Sequence, residues 1–457
     1  MSSNSYDVLI IGSGEGGKFL AWHLGRSGKK VAVIERKLIG GSCPNTNCLP
    51  SKNEIWSAKV ADLAHHADAF GSITGAVATD MRRVVARKRE MVDGLIKMHL
   101  DFFKDSGAEL IMGEARFVAP RTVEVKLNDG GNATFSGDKL VINIGTHASI
   151  PNIAGLVAAK PMTNVELLEL EYLPRHLIVL GGGYVGLELA QSFRRFGSQV
   201  TILEASPQIA AQEDADVAAE IADALRSEGI AIKTGVAITN VEGRSGTNVV
   251  VTTSGGRFEG TDLLVAAGRT PNTNAIGLDS AGVELDSRGY IVVNDQLETT
   301  APDTWAIGEC AGSQQFTHVS FDDFRIVRDN LAGGSRSKKD RLVPYCMFTD
   351  PQLGRVGISE KQAKAIGINV RIAKLPMAGI MRSRTISETR GFMKALVGDD
   401  DRIVGFAMVG PEAGEVMAVV QTAMLAGLPY TSLRDAIIAH PTMAEGLGPL
   451  FTRVPAR

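Results

Sequence analysis

The sequence predicts an α/β protein: two interleaved Rossmann-like dinucleotide-binding domains followed by a C-terminal α+β domain. Two observations carry that prediction. A strand–glycine turn–helix–strand unit occurs twice, and the last third of the chain mixes short strands with helices. The first unit opens with Y-D-V-L-I-I-Gly12-S-Gly14-E-G-Gly17 and ends its second strand at Glu35. The second reads H-L-I-V-L-Gly181-G-Gly183-Y-V-Gly186 and ends at Glu204. These landmarks, and Gly28 with Gly197 behind the two helices, recur at a constant offset of 169 residues. A lone G-x-G-x-x-G is weak evidence. Two copies in the same context, each with an acid 23 residues after its first glycine, are specific.

Each residue type has a physical reason to be there. The first glycine allows the tight turn, the second lets a pyrophosphate approach the backbone, and the third lets helix pack on strand. Free N–H groups at the helix start then hold phosphate. The terminal glutamate accepts hydrogen bonds from ribose hydroxyls; the alternative for Glu35 and Glu204 is a solvated acid at a strand end. Two such units imply two dinucleotides, one passing electrons to the other.

The rest of the chain fits around these units. Residues 79–105 read as a long helix whose apolar face (Val84, Val85, Met91, Leu95, Met98) is assigned to packing. Residues 123–135 read as a hairpin turning at Asn128-Asp129-Gly130. K-L-V-I-N-I-Gly145-Thr146 returns to the first unit, and Pro151 marks a crossover. The second unit runs to Arg269-Thr270-Pro271-Asn272, after which D-T-W-A-I-Gly308-Glu309 rejoins the first. The small, polar run 333–339 reads as a linker. Strands over 343–349, 392–397 and 403–409 and a helix over 411–426 make the final domain. The expected boundaries are 1–150 (first nucleotide domain), 151–272 (second), 273–339 (return segment of the first) and 340–457 (C-terminal domain).

Composition excludes several classes. Lys and Arg total 48 against 51 Asp and Glu, a net charge of −3, so no nucleic-acid or polybasic membrane surface is expected. No apolar run reaches the roughly 18 residues that a membrane-spanning helix needs. The first residues are polar and lead straight into a strand, so a cytoplasmic location is expected.

Cys43 and Cys48 lie in G-G-S-Cys43-P-N-T-N-Cys48-L-P-S-K, closely following Glu35. A five-residue spacing in regular helix separates Cα atoms by roughly 8–9 Å, whereas a disulfide tolerates about 7 Å. A bonded pair therefore requires irregular backbone, which Pro44, Asn45 and Asn47 favour. Pro50 suits a first helical turn, placing Cys48 near a helix N-terminus where peptide dipoles stabilise a thiolate. The segment reads as a redox-active disulfide beside a cofactor. The alternatives are a structural disulfide, disfavoured in a reducing cytoplasm, or two buried free thiols.

Together with the C-terminal Ala439-His440-P-T-M-A-Glu445, these motifs make the chain similar to the class I flavoprotein disulfide reductases over nearly its whole length. That family includes dihydrolipoamide dehydrogenase, glutathione reductase and mercuric reductase. The resemblance implies FAD on the first fingerprint and a nicotinamide nucleotide on the second. It also implies that the C-terminal domain forms a homodimer in which the partner's histidine completes each active site. By position, Cys48 resembles the charge-transfer thiol and Cys43 the interchange thiol. Lys52 and Glu188 resemble the ion pair beside the flavin, and Tyr184 an aromatic gate over the nicotinamide site. Gly145, Gly268, Gly308 and Glu309 complete the candidate cofactor-binding set. His440 is expected to act as acid–base, oriented by Glu445; the competing reading makes Glu445 part of a Thr442–Glu445 capping box. No metal-ligand set is expected. His318, Asp322 and Asp323 read as capping and packing residues.

The implied activity is FAD-dependent NAD(P)H:disulfide oxidoreduction, with electrons passing from NADH through FAD and the Cys43–Cys48 pair to a small-molecule disulfide. Glu204, with no basic residue following until Arg226, favours NADH over NADPH. Three departures stand out: Asn47 for the usual glycine, Glu309 for the usual aspartate, and no cysteine pair near Arg457, which makes mercury the less expected substrate. The segments around His318 and His440 look like the mercuric-reductase-like branch, which includes a copper reductase, so a metal-ion substrate is the alternative. A redox-sensing or complex-scaffolding flavoprotein is the alternative of another class.

Overall fold

The computed structural model describes residues 4–457. Its first sheet is built from β1 (Ser5–Ile11), β2 (Val31–Glu35), β3 (Glu109–Ala119), β4 (Thr122–Leu127) and β5 (Asn132–Ile142). β1 pairs in parallel with both β2 and β5, and β2 with β3. Their near-continuous Val, Ile and Leu runs are buried on both faces, as parallel sheets require. β3 and β5 each serve twice. The first half of β3 pairs with β2 and its second half with β4; β5 pairs with β4 before reaching β1.

Helix α1 (Glu15–Arg26) follows β1 directly. After β2 come a single turn α2 (Ser42–Asn45), then α3 (Cys48–His65) and α4 (Met81–Ser106). Asp80 caps α4 by accepting from the N–H groups of Arg82 and Arg83. The expected apolar face of α4 is only partly a core face. Met81, Val84 and Val85 are buried at one end and His99 and Phe103 at the other, while Met98 is 40% exposed. Both ends of this 26-residue helix are packed, and its middle, residues 89–98, carries no buried residue.

β6 (Thr146–Ala148) leaves the first unit, and a short helix α5 (Asn164–Leu167) precedes the second. There β7 (His176–Leu180), β8 (Gln199–Leu203) and β9 (Ala231–Lys233) run parallel, with α6 (Tyr184–Phe196) after β7 and α7 (Ala215–Ser227) after β8. An antiparallel sheet of β10 (Ile238–Arg244), β11 (Asn248–Thr253) and β12 (Gly256–Gly260) leads to β13 (Asp262–Val265), which pairs with β7. The order β9-β8-β7-β13 repeats β3-β2-β1-β5 of the first unit. β14 (Arg269–Pro271) then returns antiparallel to β6, and β15 (Thr304–Ala306) joins β5.

The C-terminal sheet has five antiparallel strands in the order β16-β17-β20-β19-β18: β16 (Tyr345–Met347), β17 (Gln352–Gly357), β18 (Arg371–Pro376), β19 (Phe392–Val397) and β20 (Ile403–Gly410). The helix Ala413–Leu425 covers it. Expectation identified β16, β19 and β20 but not β17 or β18. Among the described residues no helix is long and apolar enough to cross a membrane.

Candidate functional site

The two glycine turns are built alike. Gly12 and Gly181 have φ of +97° and +110°, and a Cβ on either would come within 2.3 Å of the Asn143 carbonyl oxygen or 2.4 Å of the Ala266 carbonyl oxygen. Only glycine fits there. A Cβ on Gly17 or Gly186 would strike the carbonyl oxygen of Gly12 or Gly181 at 2.4 and 2.3 Å, which is the expected helix-on-strand packing. A Cβ on Gly183 would meet open space, whereas one on Gly14 would lie 2.8 Å from the Asn143 side-chain amide. Gly14 and Gly183 cap α1 and α6 without a side chain of their own; at α1 the Ser320 hydroxyl accepts from the Gly16 N–H at 3.1 Å, and the other first N–H groups are left as donors. Those donors fit the phosphates of two dinucleotides.

The two strand-end glutamates differ. Glu35 Oε2 accepts from the Ser13 N–H (3.0 Å) and hydroxyl (2.8 Å), and Oε1 from the N–H groups of Lys37 (2.8 Å) and Leu38 (2.9 Å). Its four acceptor positions therefore hold the turn itself. Glu204 takes one donor per oxygen, Gly182 N–H and Ser206 N–H, each at 2.6 Å. It keeps acceptor capacity for a ribose.

The cysteine pair sits where two helices fail to join. Cys43 belongs to α2 and Cys48 begins α3, with Thr46 and Asn47 breaking the helical path between them. Asn47 has φ of −123°, a backbone that needs no glycine. Its side-chain oxygen accepts from the Asn164 amide at 3.0 Å, tying the break to α5. Pro50 lies in the first turn of α3, where no N–H is needed.

Both thiols are free and share a hydrogen bond. That bond from Cys43, the Thr317 hydroxyl and the Lys52 ammonium bring Cys48 down to about 6, against burial. The same bond, read from the other side, pushes Cys43 well above the ordinary thiol range, and burial adds to it. Cys310 and Cys346 are each pushed up to about 12 by burial. One sulfur among four is therefore a thiolate at neutral pH.

Lys52, one turn after Cys48, donates to Glu188 Oε2 on α6 at 2.7 Å. Glu188 Oε1 accepts from the Phe348 N–H at 2.8 Å, and the Lys52 ammonium lies 4.9 Å from the centre of the Phe348 ring. The expected pair thus brings the first unit, the second unit and the C-terminal domain together at one point. Tyr184, one turn before Glu188 on the same face of α6, donates its hydroxyl to Glu213.

Glu309 Oε2 accepts from Arg269 Nε at 3.1 Å and from the Thr146 hydroxyl. Gly308 donates its N–H to Asp323 at 2.8 Å; Asp323 also takes Ser313 (2.7 Å) and Arg341 (2.6 Å), the packing role expected of it. Gly145 and Gly268 flank the crossing, their carbonyls accepting from Asn272 and Ser149 at 3.0 Å. His318 Nε2 bonds the Pro344 carbonyl at 2.7 Å, and its ring stacks on Phe316. The acids Asp214, Asp216 and Glu360 converge elsewhere, but the Lys394 ammonium lies among them at 3.0, 2.7 and 2.7 Å.

His440 and Glu445 meet as expected: Nδ1 to Oε2 is 2.7 Å. Thr442 supplies half of the competing capping box, accepting from the Glu445 N–H at 3.2 Å, while the carboxylate turns to the histidine. The His440 side chain is 69% exposed. Nearby Ile437 is fully exposed, and Leu49, Trp56, Val60 and Leu63 form an exposed apolar stripe along α3. Expectation missed Thr317, Phe348, Glu213, Tyr345 and Arg355. Each reaches the site from a distant element and carries no local signature.

Comparison with known proteins places this arrangement among characterised relatives. The family model "Pyridine nucleotide-disulphide oxidoreductase" matches residues 6–323, and that family's dimerisation domain matches residues 343–450. A probable pyridine nucleotide-disulfide oxidoreductase of Escherichia coli K12, RclA, is 38% identical, covering 99% of this chain and 100% of its own. A mercuric reductase of Lysinibacillus sphaericus is 34% identical over 98% of this chain and 82% of its own. A dihydrolipoyl dehydrogenase of Thermus scotoductus is 33% identical over 97% and 96%. Among solved structures, the Cu(II) complex of the HOCl-induced flavoprotein disulfide reductase RclA from Escherichia coli superposes with a TM-score of 0.90 at 37% identity, over 99% of both chains.

Proposed function

The chain belongs to the pyridine nucleotide-disulphide oxidoreductases; it is an FAD-dependent, pyridine nucleotide-dependent oxidoreductase, and we propose that Cys43 and Cys48 are its redox couple. The observation that carries this is the setting of the pair: two free thiols at the break between α2 and α3, with the Thr317 hydroxyl 3.2 Å from Cys48 Sγ and the Lys52–Glu188 pair one turn on. The first fingerprint, with Gly12, Gly14 and Gly17 on a turn that Glu35 holds in shape, would hold FAD together with Gly145, Gly308 and Glu309. The second, with Gly181, Gly183, Gly186, Glu204 and Gly268, would hold the nicotinamide nucleotide. When bound, these groups supply the electron pair that returns the Cys43–Cys48 disulfide to the dithiol.

The chain's own residues then carry the sulfur chemistry. The Cys43 thiolate attacks one sulfur of a small disulfide, the substrate S–S bond breaks, and the departing thiolate takes a proton. The Cys48 thiolate next attacks the Cys43 sulfur of the mixed disulfide. That step expels the second substrate thiolate and re-forms the Cys43–Cys48 bond. Substrate gains the two electrons that the dithiol loses. Cys43 needs a base, because its own surroundings hold its proton. His440, exposed and oriented by Glu445, supplies it from the second subunit of a homodimer. The matched dimerisation domain and the bare stripe on α3 support that assembly.

Glu204 favours NADH: its free acceptor positions suit a 2′-hydroxyl and repel a 2′-phosphate. A working thiol couple fits a reducing compartment, here the cytoplasm. A second reading, reduction of a thiol-bound metal ion, is favoured by the Cu(II) complex of the 37% identical relative and by the affinity of thiolates for soft metals. Parallel assays with lipoamide, glutathione disulfide, Cu(II) and Hg(II) decide between them. Turnover of a disulfide and loss of that turnover in Cys43→Ser are expected. Flavin-free protein, or NADH consumption by none of the four, would exclude both.

A further inference from the structure

Glu213 is a carboxylate that the chain has enclosed completely; its side chain is 0% exposed. It lies just before α7, outside every motif of the two nucleotide units. Oε1 accepts the hydroxyls of Tyr184 and of Tyr345, the latter at 2.8 Å, and Oε2 accepts from Arg355 at 2.7 Å. Burial and this carboxylate push both phenols above their ordinary range, so both act as donors. Arg355 is itself 3% exposed and balances the charge.

The two tyrosines lead in opposite directions. Tyr184 is the first residue of α6, immediately after Gly183, where the helix start stands open for a dinucleotide. Tyr345 belongs to β16 of the C-terminal sheet. Its ring lies 5.7 Å from that of Tyr184 and stacks within 7° on Phe316, 5.4 Å away. Phe316 precedes Thr317, whose hydroxyl stands 3.2 Å from Cys48 Sγ. The row Tyr184–Tyr345–Phe316 therefore runs from the second nucleotide turn to the low-pKa sulfur, and its two phenols share one anchor.

We infer that Glu213 is a positioning residue: by holding both hydroxyls it fixes the aromatic row as a rigid wall that orients a nicotinamide nucleotide arriving over Gly183. The inference rests on the second fingerprint being the nicotinamide site. Tyr184 is the residue at the nucleotide, and Glu213 acts through it. The arrangement is costly unless complete, because an acid this deep is stable only with all its donors in place.

A mutant cycle tests it. NAD+ binding to oxidised holoenzyme is measured by calorimetric titration for wild type, Y184F, Y345F, E213Q and E213Q/Y184F, with KM and kcat for NADH alongside. Y184F keeps the ring and removes only the tether, and should weaken NAD+ binding by about fivefold, the worth of one ordinary hydrogen bond. KM should rise to match while kcat changes by less than about twofold. In the E213Q background the amide keeps one accepting oxygen for three donors, with Arg355 the charged competitor, so Y184F should cost less than it does in wild type. Should E213Q fail to fold, Y345F with Y184F/Y345F replaces it, and sub-additive losses are expected. Unchanged NAD+ affinity in Y184F, or fully additive losses, would overturn the inference while leaving the nucleotide site intact. A wild type that binds no NAD+ would overturn the site assignment and this inference together.

Discussion

The Thr317 hydroxyl stands 3.2 Å from the Cys48 sulfur, brought there across 269 residues of sequence by the return of the chain into α8 (Thr317–Leu331). It is a hydrogen-bond donor aimed at an anion, and such bonds are worth roughly 1.5–3 kcal/mol. Thr317→Val removes it at nearly constant volume. In a Cys43→Ser background, the pH midpoint of Cys48 thiolate ultraviolet absorbance should lie about one unit higher with Thr317→Val than without it. A midpoint that does not move would show that the hydroxyl donates elsewhere.

The two cysteines should fail differently. Cys43→Ser should retain flavin that NADH can reduce, together with a long-wavelength charge-transfer band from the Cys48 thiolate, yet turn over no disulfide. Cys48→Ser should lose the band. Retained disulfide turnover in Cys43→Ser would reverse the assignment of the two sulfurs.

Coenzyme preference hangs on one carboxylate. Glu204→Ser removes the negative charge that repels a 2′-phosphate. The ratio of kcat/KM for NADH to that for NADPH should fall by roughly tenfold, about 1.4 kcal/mol. Equal values for the two coenzymes in the unaltered protein would refute the role given to Glu204.

Glu54 carries a pH dependence of its own. It lies on α3, fully buried, with both carboxyl oxygens unpartnered. Burial pushes it up to about 8, against the pull of Lys88 and with the help of Glu169. The folded protein thus keeps a proton that the unfolded chain sheds near the ordinary value of 4.5. Stability from this group is complete below that value and is lost as pH rises through about 8. Glu54→Gln should therefore melt increasingly above wild type between pH 5 and 9, by the equivalent of roughly a few kcal/mol at the upper end. A melting difference that stays flat over that range would show that Glu54 ionises freely.

Much of the site could be read from the chain because its motifs are local. A glycine turn, the strand before it and the acid closing the unit lie within one short stretch, so Gly12 and Gly181 announce themselves. Cys43 and Cys48 do so by a spacing that regular helix forbids to a disulfide. Thr317, Phe348 and Glu213 are different, since each meets a partner more than a hundred residues away and any threonine or glutamate would look the same. β17 escaped notice because Q-L-G-R-V-G breaks its apolar run with an arginine, which the buried Glu213 at 2.7 Å and Asp214 at 3.8 Å make tolerable inside. β18 escaped because Ile372 faces out while Ala373 and Leu375 face in, which blurs the alternation. Glu35 shows the limit of a motif: its spacing was legible, but not that its own turn would claim every acceptor position it has.

The pairing of β6 with β14 has a topological consequence. Ala148 and Arg269 face each other across that ribbon, one leaving the first unit and the other coming back. The entire second unit is thus the loop of a β-hairpin. The chain enters and leaves that loop at adjacent residues, yet Lys52–Glu188 at 2.7 Å and Asn47–Asn164 at 3.0 Å bind it back onto the cysteine-bearing segment, so side chains as well as the ribbon fix how the two units face each other.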